Sequence, residues 1–203
     1  MHRSNSSEYP SALLRNDAVA SGTTTISAQQ VGSTYVSVTY KTLSGNQPQA
    51  FGNVISVWNG TNIGWDNRPS AIVTVPITQD TPDGDMVISL GSEPSGGPPY
   101  MVAYGTSKSG TTYCAAQIGG VEQPFEPITT KISLRWLGTD SLLAEFSTPP
   151  QNDPRANCNW IGLWEGQSFS YNGINRIAKV PVDTNTATGS QDMNGLKLKF
   201  KTF

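Results

Sequence analysis

Polar and apolar residues alternate along much of this chain, and a period of two marks strands. Tyr35-Val36-Ser37-Val38-Thr39-Tyr40 is the plainest case, with Val36, Val38 and Tyr40 on one face and Ser37 and Thr39 on the other. The same pattern predicts strands over 53–58, 71–76 and 86–90, then a hairpin of 100–104 with 112–118. Further strands are predicted over 131–136, 141–146, 159–164 and 177–182. The chain closes on 196–201, where Leu196, Leu198 and Phe200 share one face and Lys197, Lys199 and Lys201 the other. Between these stretches lie turn signals: residues 44–48, Asn59-Gly60 and Thr81-Pro82-Asp83-Gly84. Pro76 ends its strand, where it removes no central ladder bond. No segment shows a convincing helical period. Short strands joined by Gly, Pro and Asn turns point to antiparallel β-sandwiches.

The pattern is written twice. Asn53-Val54-Ile55-Ser56-Val57-Trp58-Asn59-Gly60 returns as Asn159-Trp160-Ile161-Gly162-Leu163-Trp164-Glu165-Gly166, an offset of 106 residues (164 − 58). That offset also joins Ile26 to Ile132, Gly32 to Gly138, Tyr40 to Phe146 and Pro48 to Pro154, and at 105 Val75-Pro76 meets Val180-Pro181. A constant offset held over such a length predicts an internal duplication. The expected fold is all-β, two tandem immunoglobulin-like antiparallel sandwiches. The expected division is an N-terminal arm over 1–22, a first module over 23–118, a linker over 119–127 and a second module over 128–203. The copies differ in one respect. After Asp85-Met86 the first runs on through the 100–118 hairpin, whereas about ten residues follow Asp192-Met193. Either the second module lacks a hairpin, or it owns this one and the arm stands in for it in the first.

Charged residues are 14% of the chain, against roughly a quarter in an average soluble domain. Ser, Thr, Asn, Gln and Gly fill the difference, a surface suited to sugars, other proteins and the extracellular medium. The net charge of −2 argues against nucleic acid and anionic membranes as partners. The one histidine, His2, leaves no basis for a histidine-based nucleophile system or a histidine-ligated zinc. Cys114 and Cys158 fall at non-equivalent places and read as two buried free thiols in preference to a bridge. There is no apolar run of transmembrane length and no signal-peptide core, although the composition suits an extracellular or surface-facing location.

The Asn159-Trp160-Ile161-Gly162-Leu163-Trp164 stretch resembles the Asp-Trp-Ile-Gly-Leu/Ile-aromatic core of SKICH-type immunoglobulin-like modules. The likeness spans about ten residues per copy. Asn159 replaces the family's aspartate, and in the first copy Val54 replaces the tryptophan. It implies an immunoglobulin-like sandwich and a role in docking to proteins or membranes without catalysis.

Two segments are candidate sites. The stretch after each Trp strand combines rings with amides and carboxylates: Asn59, Asn62, Trp65, Asp66, Asn67 and Arg68 in copy one, and Glu165, Tyr171 and Asn172 in copy two. A sugar stacks its C–H face on such a ring while planar polar groups read its hydroxyls. The alternative is that Trp65 and Tyr171 fold back as lids over the module ends. Trp58 and Trp164, each ending an apolar strand, belong nearer the cores. The second candidate is Asp80, Asp83 and Asp85, three hard oxygen donors within six residues that would suit Ca²⁺, although the spacing is not that of an EF-hand and Pro-Asp-Gly is an ordinary turn. The scattered glutamates propose no carboxylate pair for glycoside hydrolysis. The expected function is therefore non-enzymatic recognition, most narrowly lectin-like binding of a glycan or cell-surface protein. The opposing expectation is a structural or toxin-like assembly subunit working through β-edge contacts, with a homo-oligomer possible.

Overall fold

The computed structural model describes residues 23–31, 33–92, 99–107, 112–119, 128–165 and 175–198. The chain is all-β, with several antiparallel sheets and, among the described residues, one short 3₁₀ turn. Its strands are β1 (Thr25–Val31), β2 (Tyr35–Lys41), β3 (Val54–Asn59), β4 (Val73–Pro76), β5 (Asp83–Ser89), β6 (Tyr100–Gly105) and β7 (Tyr113–Gly119). There follow β8 (Ile128–Thr129), β9 (Lys131–Leu137), β10 (Ser141–Ser147), β11 (Trp160–Trp164), β12 (Arg176–Pro181) and β13 (Thr188–Asn194). The first half forms a three-stranded sheet, β1-β2-β5, and a five-stranded one, β4-β3-β6-β7-β8. The second half forms a three-stranded sheet, β13-β10-β9, and a two-stranded one, β11-β12.

The alternation read from the sequence sets which face is buried. In β2, Val36, Val38 and Tyr40 are buried against Ile55, Val57, Tyr100, Val102 and Tyr104 of the opposing sheet. In β10 the matching Leu142, Ala144 and Phe146 pack on Ile161, Val182, Met193 and Leu196. A third cluster, Trp58, Ile63, Met101, Ala103, Tyr113 and Ala116, covers the outer face of the five-stranded sheet.

The two halves share register at the sequence offset. Lys41 pairs with Asp83 and Tyr35 with Ser89; Ser147 pairs with Thr188 and Ser141 with Asn194. Val54 pairs with Pro76 and Ile55 with Val75; Trp160 pairs with Pro181 and Ile161 with Val180. The loops agree as well. Thr42 Oγ1 donates to Pro82 O and Thr148 Oγ1 to Ala187 O. Asn46 Nδ2 donates to Thr42 Oγ1 and Asn53 Oδ1; Asn152 Nδ2 donates to Thr148 Oγ1 and Asn159 Oδ1.

Several expectations need correction. Asp83 and Gly84 lie inside β5, paired with Lys41 and Tyr40, and not in a turn. The 100–118 hairpin belongs to the first half, because β6 pairs along the whole of β3. Ile128 and Thr129, expected in the second module, add to the first half's sheet beside β7, one residue before β9 begins. Residues 120–127 of the expected linker lie outside the described residues, as does the arm over 1–22. Residues 196–198 form no strand: Leu196 N donates to Asp140 O and Leu198 N to Thr139 O. Leu196 is buried, Leu198 packs on the core and Lys197 is exposed, so the expected facing holds there without the strand. Residues 199–203 lie outside the described residues.

Candidate functional site

The loop after β3 is built as a cover. Trp65 opens the 3₁₀ turn Trp65–Asn67, half-buried, with its ring edge-on to Tyr113 at 5.7 Å between centroids. Its indole Nε1 donates to Pro150 O of the second half at 3.0 Å. Beneath it Trp58 is buried, edge-on to Tyr113 at 5.0 Å, with Nε1 donating to Pro69 O. Burial raises the Tyr113 hydroxyl above its ordinary pKa, opposed by a hydrogen bond with Ser56. Asn67 Oδ1 accepts from Ala71 N, so this amide serves the turn. Asn59, Asn62, Asp66 and Arg68 are exposed around the loop, and Glu165 is exposed at the end of β11. Tyr171 and Asn172 lie outside the described residues, so their pairing with Trp65 and Asp66 is not on view.

The three aspartates do not come together. Asp80 Oδ1 accepts from Ala50 N, a turn bond repeated by Asn185 Oδ1 and Ala156 N. Asp85 Oδ1 accepts from Thr39 Oγ1 across the strand pair. Among the described residues no group of three or more Asp, Glu, His or Cys side chains is placed to hold a metal ion. Cys114 and Cys158 are free thiols, but Cys158 is exposed in a chain reversal and not buried as expected; burial pushes Cys114 up to about 11, and its Sγ donates to Tyr104 O. No helix among the described residues is long and apolar enough to cross a membrane.

The sharper feature is a difference between the halves. In the first, β6 and β7 close the sandwich: β6 lies along the edge of β3, and β7 reaches β1, where Ala28 N donates to Gln117 Oε1. Ile26 of β1 is accordingly 4% exposed. The second half has no counterpart of β6 and β7 among the described residues. Ile132, the equivalent of Ile26, is 55% exposed, and Leu134 beyond it is 37% exposed. Both pair with buried residues of β10, Phe146 and Ala144, so they point inward over a side that no strand among the described residues covers. A bulge at Leu143/Ala144 then turns Trp136 opposite Leu143, out of the sandwich face. On the other sheet, among the described residues, β11 pairs with β12 alone. Val182 N donates to Asn159 O on the β12 side, so strand alternation turns the peptide groups of Trp160 and Gly162 to the free edge.

The outer face of β11-β12 carries a second feature. Trp160 is 43% exposed, and its ring lies 6.1 Å from that of half-buried Trp164 at an angle of 46°. Gly162 sits between them. A Cβ there would lie 2.4 Å from Trp164 Cη2 and 2.7 Å from Trp160 Cζ3, so only glycine lets the indoles converge. From β12, Lys179 Nζ stands 4.5 Å from the Trp160 ring centroid and Arg176 Cζ 5.8 Å. Trp164, expected nearer the core, is half-buried on this outer face, and Trp160, Lys179 and Arg176 are not among the residues expected at a site. The signal available was Trp-x-Gly-x-Trp, an outward glycine between two rings where the first half has Ser56. No protein-family model and no curated protein matches the chain.

Proposed function

We propose that this chain is a non-enzymatic recognition protein of two tandem immunoglobulin-like modules that arose by internal duplication. The first is a closed scaffold, and the second accepts a β-strand from a partner chain. One observation carries this reading: equivalent isoleucines, Ile26 and Ile132, are 4% and 55% exposed because only the first is covered by β6 and β7. An apolar inner face beside a strand edge with free peptide groups is the setting in which an extended segment adds to a sheet. The shared register supports the duplication, and the docking role implied by the SKICH resemblance agrees with it by analogy.

The first half states what would fit. β6 runs antiparallel to β3 and turns Tyr100, Val102 and Tyr104 into the core, with Met101 and Ala103 between them on the outer face. The partner strand is therefore uncharged, with aromatic or β-branched residues at alternate positions, antiparallel to β11. The arm over 1–22 fits less well, since Ser4-Asn5-Ser6-Ser7 and Pro10 disfavour a strand. A second copy of this chain serving as the partner is one outcome that light scattering at rising concentration would read.

A synthetic peptide spanning residues 99–119 tests the reading. It should bind the full chain, slow amide exchange at Trp160 and Gly162, and lose binding in Leu134→Glu. Binding to a variant lacking residues 1–22 but not to the full chain would hand the slot to the arm and end the proposal. Failure to bind either form would remove the acceptor role altogether.

A further inference from the structure

We infer that the Trp160 ledge on the outer face of β11-β12 is a binding site for an anionic glycan, a saccharide carrying a carboxylate or sulfate. The ledge lies on the sheet's outer face, away from the inner face that a partner strand would fill, and this inference does not depend on the strand-acceptor reading. Three observations converge. Gly162 exists at a spacing where any side chain would strike both indoles, so the strand gives up a packing residue to bring Trp160 and Trp164 together. The upper ring, Trp160, nevertheless stays 43% exposed, whereas the equivalent Val54 is buried. Two cations from the neighbouring strand, Lys179 and Arg176, stand within reach of that ring in place of apolar cover.

The chemistry of the ledge follows. The indole face offers a flat apolar surface for the C–H face of a pyranose. Lys179 and Arg176 offer hydrogen-bond donors and no acceptors, so they select an acidic sugar over a neutral one. While no ligand is present, the cations rest on the ring's negative face. A carboxylate or sulfate at the rim draws them off the ring and leaves its face to the sugar. A nucleic-acid strand would also stack and pair its phosphates, but that mode needs a longer basic track than two residues, on a chain whose net charge is −2.

Calorimetric titration of the full chain with a sialylated trisaccharide and a sulfated hexasaccharide, against neutral lactose and a single-stranded oligonucleotide, tests this. The expected result is saturable binding of at least one acidic sugar, a shift of the Trp160 indole N–H resonance, and no binding of lactose. Trp160→Ala should weaken binding by about tenfold or more, and Trp160→Phe should retain most of it. Lys179→Gln with Arg176→Gln should erase the preference for acidic over neutral sugar. Because these side chains are exposed, the melting temperature should hardly move, which separates lost binding from lost fold. No saturable binding of any acidic sugar overturns the site. So does binding that survives Trp160→Ala, and tighter binding of the oligonucleotide would reassign it to nucleic acid.

Discussion

Trp58 and Trp164 stand at matching positions of two strand pairs, yet the first is 1% exposed and the second is only half-buried. The difference arises outside these strand pairs. Trp58 is paired through β3 to Met101 of β6 and faces Tyr113 of β7, while Trp65 closes over that tyrosine. Trp164 sits at a register shift, paired with Arg176, with its ring 6.1 Å from that of exposed Trp160. A side chain's burial is thus set by which strands the chain can spare for it, and not by its own strand alone. Among the described residues the first half has three extra strands, β6, β7 and β8, in its second sheet.

The largest expected effect breaks or keeps this comparison. Trp58→Ala should cost about 3–5 kcal/mol, the usual range for emptying a buried tryptophan site. Trp164→Ala should cost no more than about half as much, because part of its surface already faces water. Denaturant unfolding followed separately for the two halves would read both. Equal losses would mean that the second half is as well covered as the first.

The isoleucine pair is next. Ile26→Ala should destabilise by about 2–4 kcal/mol, since it removes packing from a closed core. Ile132→Ala should change stability by less than about 1 kcal/mol in the isolated chain. The contrast sharpens if a bound strand peptide raises the cost of Ile132→Ala toward that of Ile26→Ala. A large cost for Ile132 without any peptide would show that the slot is already filled.

How much of this was legible in the sequence depends on the range of the forces involved. Alternation identified β2 and β10, because burying one face of a strand is a local demand with a fixed period. The repeat gave the equivalent positions, and these pair in matching register. Ownership of the 100–118 hairpin was not legible: β6 could serve any open edge, and pairing with β3 is a choice between distant partners. Thr81-Pro82-Asp83-Gly84 has turn chemistry, but Gly84 pairs with Tyr40, a cross-strand demand that outweighs local preference. Trp65 could be read as platform or lid, since its fate rests on Tyr113, 48 residues away (113 − 65). Trp160 was missed because it aligns with Val54, a core residue in the closed half.

The asparagine clasp tests the comparison at a smaller scale. Asn53 Nδ2 donates to Thr106 O just beyond β6, and its Oδ1 accepts from Tyr104 Oη at 2.7 Å. Asn159 has no β6 to reach and turns its Nδ2 to Asn157 O at 3.4 Å, within its own loop. Asn53→Ala should therefore cost about 1–3 kcal/mol, leaving buried donors and acceptors unmatched. Asn159→Ala should cost less, about 1 kcal/mol or under, because water reaches its half-buried site. Reversal of that order would show that the clasp is a feature of the loop and owes nothing to the closing hairpin.

The smallest expected effect runs the other way and repairs the second half from the first. Gly52 and Cys158 are equivalent positions with left-handed backbone, at φ 65° and 55°. Both end the same chain reversal: Gly52 N donates to Gln49 O and Cys158 N to Arg155 O. Glycine adopts this conformation freely, while a residue with a Cβ pays about 1–2 kcal/mol for it. Glycine's extra freedom in the unfolded chain takes back part of that gain. Cys158→Gly should accordingly stabilise the second half by about 0.5–1 kcal/mol, seen as a rise in its unfolding midpoint with no change in slope. The thiol is exposed, so its removal empties no core. The reciprocal Gly52→Cys should lower the first half's stability by a similar amount. If Cys158→Gly instead destabilises, the thiol or its Cβ makes a contact that outweighs the backbone strain, and the two loops are alike in path but not in what holds them.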